Sequence, residues 1–194
     1  MSIILGSQSP RRREILNYFS LPFQQIPSNF NEETIPFLGD PHAYVLAIAQ
    51  KKGEELLNRF PNDLILTADT IVYFDGNVYN KPKDRGEATR FLSLLAGQWH
   101  SVFTALTLRS KNGVHFGVEK TDILFNPLKD EQIQIYLDHC HFLDKAAGYA
   151  IQQTGSIIVQ KINGCYYNVM GLPINLLKSL LLKENIDLWQ YLKC

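Results

Sequence analysis

Charge of one sign is what this sequence lacks most plainly. Its 19 lysines and arginines meet 19 aspartates and glutamates, for a formal net charge of zero. A broad electrostatic nucleic-acid surface needs a basic surplus, so nucleic acid is not the expected partner. Any anion site has to be a local concentration of charge. Long apolar runs are also missing, which argues against a membrane partner, and the N-terminus has no signal-peptide pattern. Cysteine is scarce: Cys140, Cys165 and Cys194 are odd in number and far apart. That spacing excludes a disulfide framework and points to a reducing, cytoplasmic location. The "HCH" at 139–141 has no second ligand pair and reads as an ordinary surface stretch. No repeat or low-complexity segment is present. The phosphate loop G-x-x-x-x-G-K-[ST], the dinucleotide fingerprint G-x-G-x-x-G and the nucleophile elbow G-x-S-x-G are all absent.

What is there reads as α/β. A chain of 194 residues is long enough for a substantial core and is expected to form a single domain over 1–194. "SIIL" at 2–5 and "FQQIP" at 23–27 read as short strands. Asp40–Pro41 opens a helix to about Phe60, with Leu46, Ala49, Leu56 and Phe60 at helical spacing. Lys51, Lys52, Glu54 and Glu55 then fall on its polar face. "DLILTADTIVYF" is a strand, followed by turn chemistry at Asp75–Gly76–Asn77. Asp84 with Glu87 caps a helix through Leu95, closed by Gly97. "SVFTALTLRS" and "VHFGVEKTDILF" flank a hairpin turn at Lys111–Asn112–Gly113. A helix near 130–138, a strand "SIIVQKI" and a helix "PINLLKSLLLKE" complete the order. Both hairpins and helical crossovers occur, so the sheet is expected to be mixed.

Several polar groups sit where stability alone would not put them. In "GSQSPRRREIL" at 6–16, Ser9 is a good N-cap and Pro10 suits the first helical position. Arg11, Arg12 and Arg13 then crowd the first turn, where the helix dipole favours acids. Either this is a solvated basic patch or it awaits an anion such as a phosphate chain, helped by Ser7 and Ser9. On the anion reading, removing Arg12 should leave the empty fold unharmed. Asp69 lies inside "LILTADTIVYF", where a buried carboxylate needs a partner or a metal. It is either a strand-end acid at the sheet's rim or a functional group. Lys81, before a proline in "NKPKD", is held extended and can reach a phosphate. Gln152 in "DKAAGYAIQ" offers a donor and an acceptor, which suits reading a base edge. Gly171 in "NVMGLP" precedes a helix starting near Pro173, a second possible anion site.

Taken in order, "GSQSPRR", "ADT" with a downstream "KP", "DKAAGYAIQ" and "NVMGLP" resemble the Maf family of nucleoside triphosphate pyrophosphatases. The resemblance implies a mixed α/β fold around a long curved sheet, with a nucleotide cleft between two lobes, related to the inosine triphosphate pyrophosphatase fold. It implies hydrolysis of a nucleoside triphosphate to monophosphate and pyrophosphate with a divalent metal, Mg²⁺ or Mn²⁺. By motif, Ser7, Ser9, Arg11 and Arg12 match the phosphate loop, and Lys52 and Lys81 match substrate-binding lysines. Asp69 matches the general base, and Glu32 with Asp69 the metal-binding acids. Arg11, Thr70 and Gln152 match the branch acting on dTTP and UTP. The branch acting on 7-methylguanosine triphosphate has tryptophan after the loop proline and glutamine after the aspartate, and neither occurs here. A role in limiting non-canonical nucleotides or in cell division, and a homodimeric state, are compatible with the family. The alternatives are a nucleotide-binding regulator without turnover and an enzyme preferring a modified nucleotide. Four positions depart from the family pattern: Gly6 for alanine, Asn31 for an acid, Asn80 for glycine and Ala147 for glycine. Asn31 is expected to weaken metal binding, and Ala147 to alter the local backbone.

Overall fold

The sheet joins two short parallel strands to a set of antiparallel ones, and one strand organises the rest. In the computed structural model, which describes residues 2–193, β1 (Ile3–Gly6) leads into α1 (Pro10–Leu16) and β2 (Phe23–Gln25). Then come α2 (Pro41–Arg59), β3 (Leu64–Phe74), β4 (Asn77–Tyr79), α3 (Arg85–Leu95), β5 (Trp99–Ser110) and β6 (Gly113–Phe125). The chain continues through α4 (Asp130–His139), β7 (Val159–Asn163), α5 (Tyr166–Val169) and α6 (Ile174–Leu182). The sheet runs β2-β1-β3-β5-β6-β7, with β4 also on β3. β1 pairs in parallel with β2 and β3, while the other pairings are antiparallel, so the sheet is mixed as expected. Cys194 lies outside the described residues; Cys140 and Cys165 are free thiols. Among the described residues no helix is long and apolar enough to cross a membrane.

The near-continuous apolar run of β3 follows from its place, because it is covered on both faces. Leu64, Leu66, Ala68 and Val72 face the main core with α1, α3 and α6. Thr67 and Ile71 face α2, where Ile71 packs with Val45 and Ala49. One edge of β3 is shared. β1 pairs with Leu64–Thr67 and β4 with Val72–Phe74. Residues 68–71 lie between those pairings, where the sheet forks. Asp69 is therefore a mid-strand residue at a fork, not a strand end at a rim.

Other expectations shift in detail. The stretch 153–158 is a 3₁₀ turn, so the expected strand at 156–162 begins only at Val159 and runs to Asn163 beside β6. Lys52 does not lie on the polar face of α2. The buried stripe is Val45, Ile48, Ala49, Lys52, Gly53 and Leu56, one helical face in which the lysine replaces an apolar residue. Gly53 lets α2 come close to β3. A Cβ there would stand 3.2 Å from Thr67 Oγ1, and that hydroxyl already donates to Ala49 O at 2.7 Å.

Candidate active site

A cleft of about 570 Å³ opens at the fork. Successive strand residues point to opposite faces, so Asp69 meets α2 while Thr70 meets α1 and α5. Lys52 Nζ lies 2.8 Å from Asp69 Oδ1 and 2.7 Å from Glu32 Oε1. Glu32 comes from a short 3₁₀ turn at Glu32–Thr34 that Asn31 caps by accepting from Glu33 N at 3.1 Å. The residue expected to weaken metal binding is thus engaged in shaping the turn that presents the acid. Burial pushes the Asp69 carboxyl above its ordinary value; Lys52 opposes the shift, and the Glu32 charge adds to it. Asp69 Oδ2 and Glu32 Oε2 take no hydrogen bond from the described residues. Two hard carboxylates that share one lysine and each keep a free oxygen are a donor set that fits Mg²⁺ or Mn²⁺ alongside phosphate oxygens.

Arg12 behaves differently from what its place in the sequence implied. Its guanidinium is buried, and burial pulls it below its ordinary value. Nε donates to Gly171 O at 2.8 Å, one Nη to Ser7 Oγ at 3.0 Å and Ala68 O at 2.9 Å, and the other to Thr70 Oγ1 at 2.9 Å. Four of its five N–H groups are spent on the protein. The Ala68 carbonyl it meets belongs to the fork, where neither β1 nor β4 reaches. Arg12 closes that gap, and its four committed N–H groups argue against the expectation that its removal leaves the empty fold unharmed. Gly171 (φ 96°) is needed for this approach, since a Cβ there would stand 3.3 Å from Arg12 Nε. Gly171 therefore faces the cleft with a committed carbonyl. Pro173 and Ile174, at the start of α6, are not among the cleft-lining residues, whereas Gly171 is.

Arg11 reaches across the cleft. Its two Nη atoms meet Asp144 Oδ2 at 2.8 Å and Asp144 O at 3.1 Å. Lys145 Nζ holds the other carboxylate oxygen at 2.6 Å. Asp144 stays below its ordinary carboxylate value: burial acts the other way, and the bonds from Lys145 and Arg11 outweigh it. Ser9 caps α1, and Gln25 Nε2 braces the loop by donating to Ser7 O at 2.8 Å. Lys81 is exposed at the rim with no ion pair among the described residues. Gln152 lines the opposite wall, and its buried Oε1 has no partner there. Ala147 keeps a positive φ of 52°, so the backbone retains the glycine-like conformation with a methyl in place. Its N–H donates to Asn80 O at 3.0 Å and ties this wall to the Lys81 segment.

Every side chain named from the sequence — Ser7, Ser9, Arg11, Arg12, Glu32, Lys52, Asp69, Thr70, Lys81 and Gln152 — lines this one cleft. Asp144, Lys145 and Gln25 were not named as site residues. The first two stood inside "DKAAGYAIQ", whose charge pair was the available signal; Gln25 gave none.

The Maf-like protein family matches residues 2–184. The chain belongs to the Maf-like family. Among its relatives, a protein of Chlamydia caviae named dTTP/UTP pyrophosphatase is 44% identical over 191 residues, covering 98% of this chain and 97% of that protein. One of Lacticaseibacillus casei with the same name is 44% identical over 183 residues, covering 94% and 98%. A Chlamydia pneumoniae protein named nucleoside triphosphate pyrophosphatase is 40% identical over 193 residues, covering 98% of each. The solved structure of the Staphylococcus aureus Ham1 protein overlays with a TM-score of 0.54 at 12% identity, covering 95% of this Maf-like chain and all of that one. That likeness concerns the fold alone and agrees with the mixed α/β class expected from the sequence.

Proposed function

We propose that this Maf-like protein hydrolyses dTTP and UTP between the α- and β-phosphates, giving the nucleoside monophosphate and pyrophosphate. The observation that carries the reading is the Glu32–Lys52–Asp69 cluster, a buried lysine between two carboxylates in a cleft of nucleotide size. The names of relatives at 44% identity support the pyrimidine substrates. Glu32 and Asp69 would hold Mg²⁺ or Mn²⁺, which would neutralise phosphate charge. Asp69, its carboxyl raised by burial, accepts the proton of the attacking water. Lys52 and Lys81 hold phosphate oxygens, and Ser7 and Ser9 line their path. In such transfers positioning and charge neutralisation supply most of the rate. Arg11 and Gln152, on facing walls, read the nucleotide. Arg12, with one free N–H, acts chiefly by fixing Thr70, Ser7 and Gly171 around the reacting phosphates.

The test is product chromatography over a panel of nucleotides with Mg²⁺ and with Mn²⁺. Monophosphate and pyrophosphate from dTTP and UTP are expected. Diphosphate plus orthophosphate would refute the bond assignment, and saturable binding without release would favour a nucleotide-binding regulator.

A further inference from the structure

The Thr70 hydroxyl belongs to a chain of hydrogen bonds whose direction follows from counting protons. Thr104 Oγ1, fully buried in β5, donates to Asn168 O at 2.8 Å, because a carbonyl only accepts. Thr104 has one proton, so in its 2.9 Å contact with Thr70 Oγ1 it must accept. Thr70 therefore spends its only proton inward on Thr104. One of its two lone pairs takes the Arg12 N–H at 2.9 Å. The order is fixed: Arg12, then Thr70, then Thr104, then the Asn168 carbonyl. A single lone pair of Thr70 is left for the cleft, and no donor for a phosphate or keto oxygen.

The far end of the chain is itself anchored. Asn168 is fully buried in α5, and its Nδ2 donates to Val102 O at 3.0 Å and Thr121 Oγ1 at 2.9 Å. Thr70 and Thr104 are register partners in β3 and β5, which brings their hydroxyls together on one face.

We propose that Thr104, which does not itself line the cleft, is a positioning residue for the reaction. By taking the Thr70 proton it turns the Thr70 oxygen toward Arg12 and locks the guanidinium across the fork. Thr70 then influences substrate through Arg12 and not by donating to the nucleotide. The inference rests on the pyrophosphatase reading for its kinetic readout, but its geometric readout is independent of it.

The experiment compares T104V, T104S, T104C and T107V with wild type. T104V keeps the shape and removes the hydroxyl. The expected result is a kcat on dTTP lowered roughly 3- to 10-fold, the size of one neutral hydrogen bond. KM should move little, because Lys52, Lys81 and Arg11 still hold the ground state. T104S retains the hydroxyl and should restore wild-type kcat. T104C, a weak donor, should fall between and keeps the test open if T104V does not accumulate. T107V removes a buried hydroxyl that has no partner among the described residues and lies on the other face of β5, against α2, and should leave kcat within about 2-fold. The second readout is the Arg12 Nε–H resonance of the empty protein, expected to shift or broaden in T104V but not in T104S. An unmoved resonance and unchanged kcat in T104V, or an equal loss of kcat in T107V, would overturn the inference. If wild type turns over neither dTTP nor UTP, the functional reading fails while the resonance still decides the positioning role.

Discussion

Replacing Arg12 with alanine should destabilise the empty protein substantially, although the residue stands in a turn where its charge opposes the helix dipole. The dipole term favours removal by no more than about 1 kcal/mol. Against it stand four hydrogen bonds from a buried cation, two of them to the main-chain carbonyls of Ala68 and Gly171. A buried acceptor stripped of its donor costs about 1–3 kcal/mol, and hydrogen bonds from charged groups contribute at the upper end. The cleft lets water reach part of the vacated space, and Arg12 no longer has to be desolvated. The net loss should be about 2–4 kcal/mol. For a domain of this size each 1 kcal/mol shifts Tm by roughly 2–4 °C, so the melt should fall by roughly 4–16 °C. Calorimetry without nucleotide reads it directly. Arg12→Lys should recover little, because one ammonium cannot span four acceptors set around a planar fork. An Arg12→Ala melt within about 2 °C of wild type would refute the reasoning and return Arg12 to the role of a waiting phosphate ligand.

Arg11→Ala offers the contrast. Its pair with a half-exposed Asp144 should contribute no more than about 1 kcal/mol, so the melt should barely move while discrimination among nucleotide bases weakens; unchanged selectivity ratios would remove Arg11 from base reading. Asp69→Asn should lower turnover at least about 10²-fold. The empty protein should melt no lower, since burial raises the folded carboxyl and the ionised form is a net burden to the fold; near-normal turnover in a folded variant would move the role to another carboxylate. His100, buried beneath Tyr149 with its Nε2 2.8 Å from the phenol oxygen, is pulled by burial from 6.5 to about 4. The unfolded chain binds the extra proton between those values, so this contribution is present above pH 6.5 and is lost as pH falls toward 4. It is worth about 3 kcal/mol at about 1.36 kcal/mol per unit. In urea titrations across that window wild-type stability should fall more steeply with falling pH than that of His100→Gln, and parallel curves would show that His100 does not titrate there.

Much of this protein was settled by the sequence. Ser9–Pro10 and Asp40–Pro41 start helices, the Lys111–Asn112 turn joins β5 to β6, and β3 is a buried strand. Caps, turns and periodicities act between near neighbours, so they need no knowledge of the rest of the chain. The residue types of the cleft were legible for a related reason. Three arginines at a helix start and an aspartate in an apolar strand are locally unfavourable, and such conflicts mark places where something else supplies the stability.

The tertiary structure alone decided what each of those groups contacts. Lys52 looked like a surface lysine until the packing of α2 turned it onto Asp69 and Glu32. Arg12 and Gly171 are 159 positions apart, and only the placement of α5 beside the fork makes one the acceptor of the other. The pairing of Thr70 with Thr104 is a matter of register between β3 and β5, and a slip of one residue would send the two hydroxyls to opposite faces. Local chemistry determines which side chains are available. Which of their protons are already spent depends on partners that only the folded sheet brings within 3 Å.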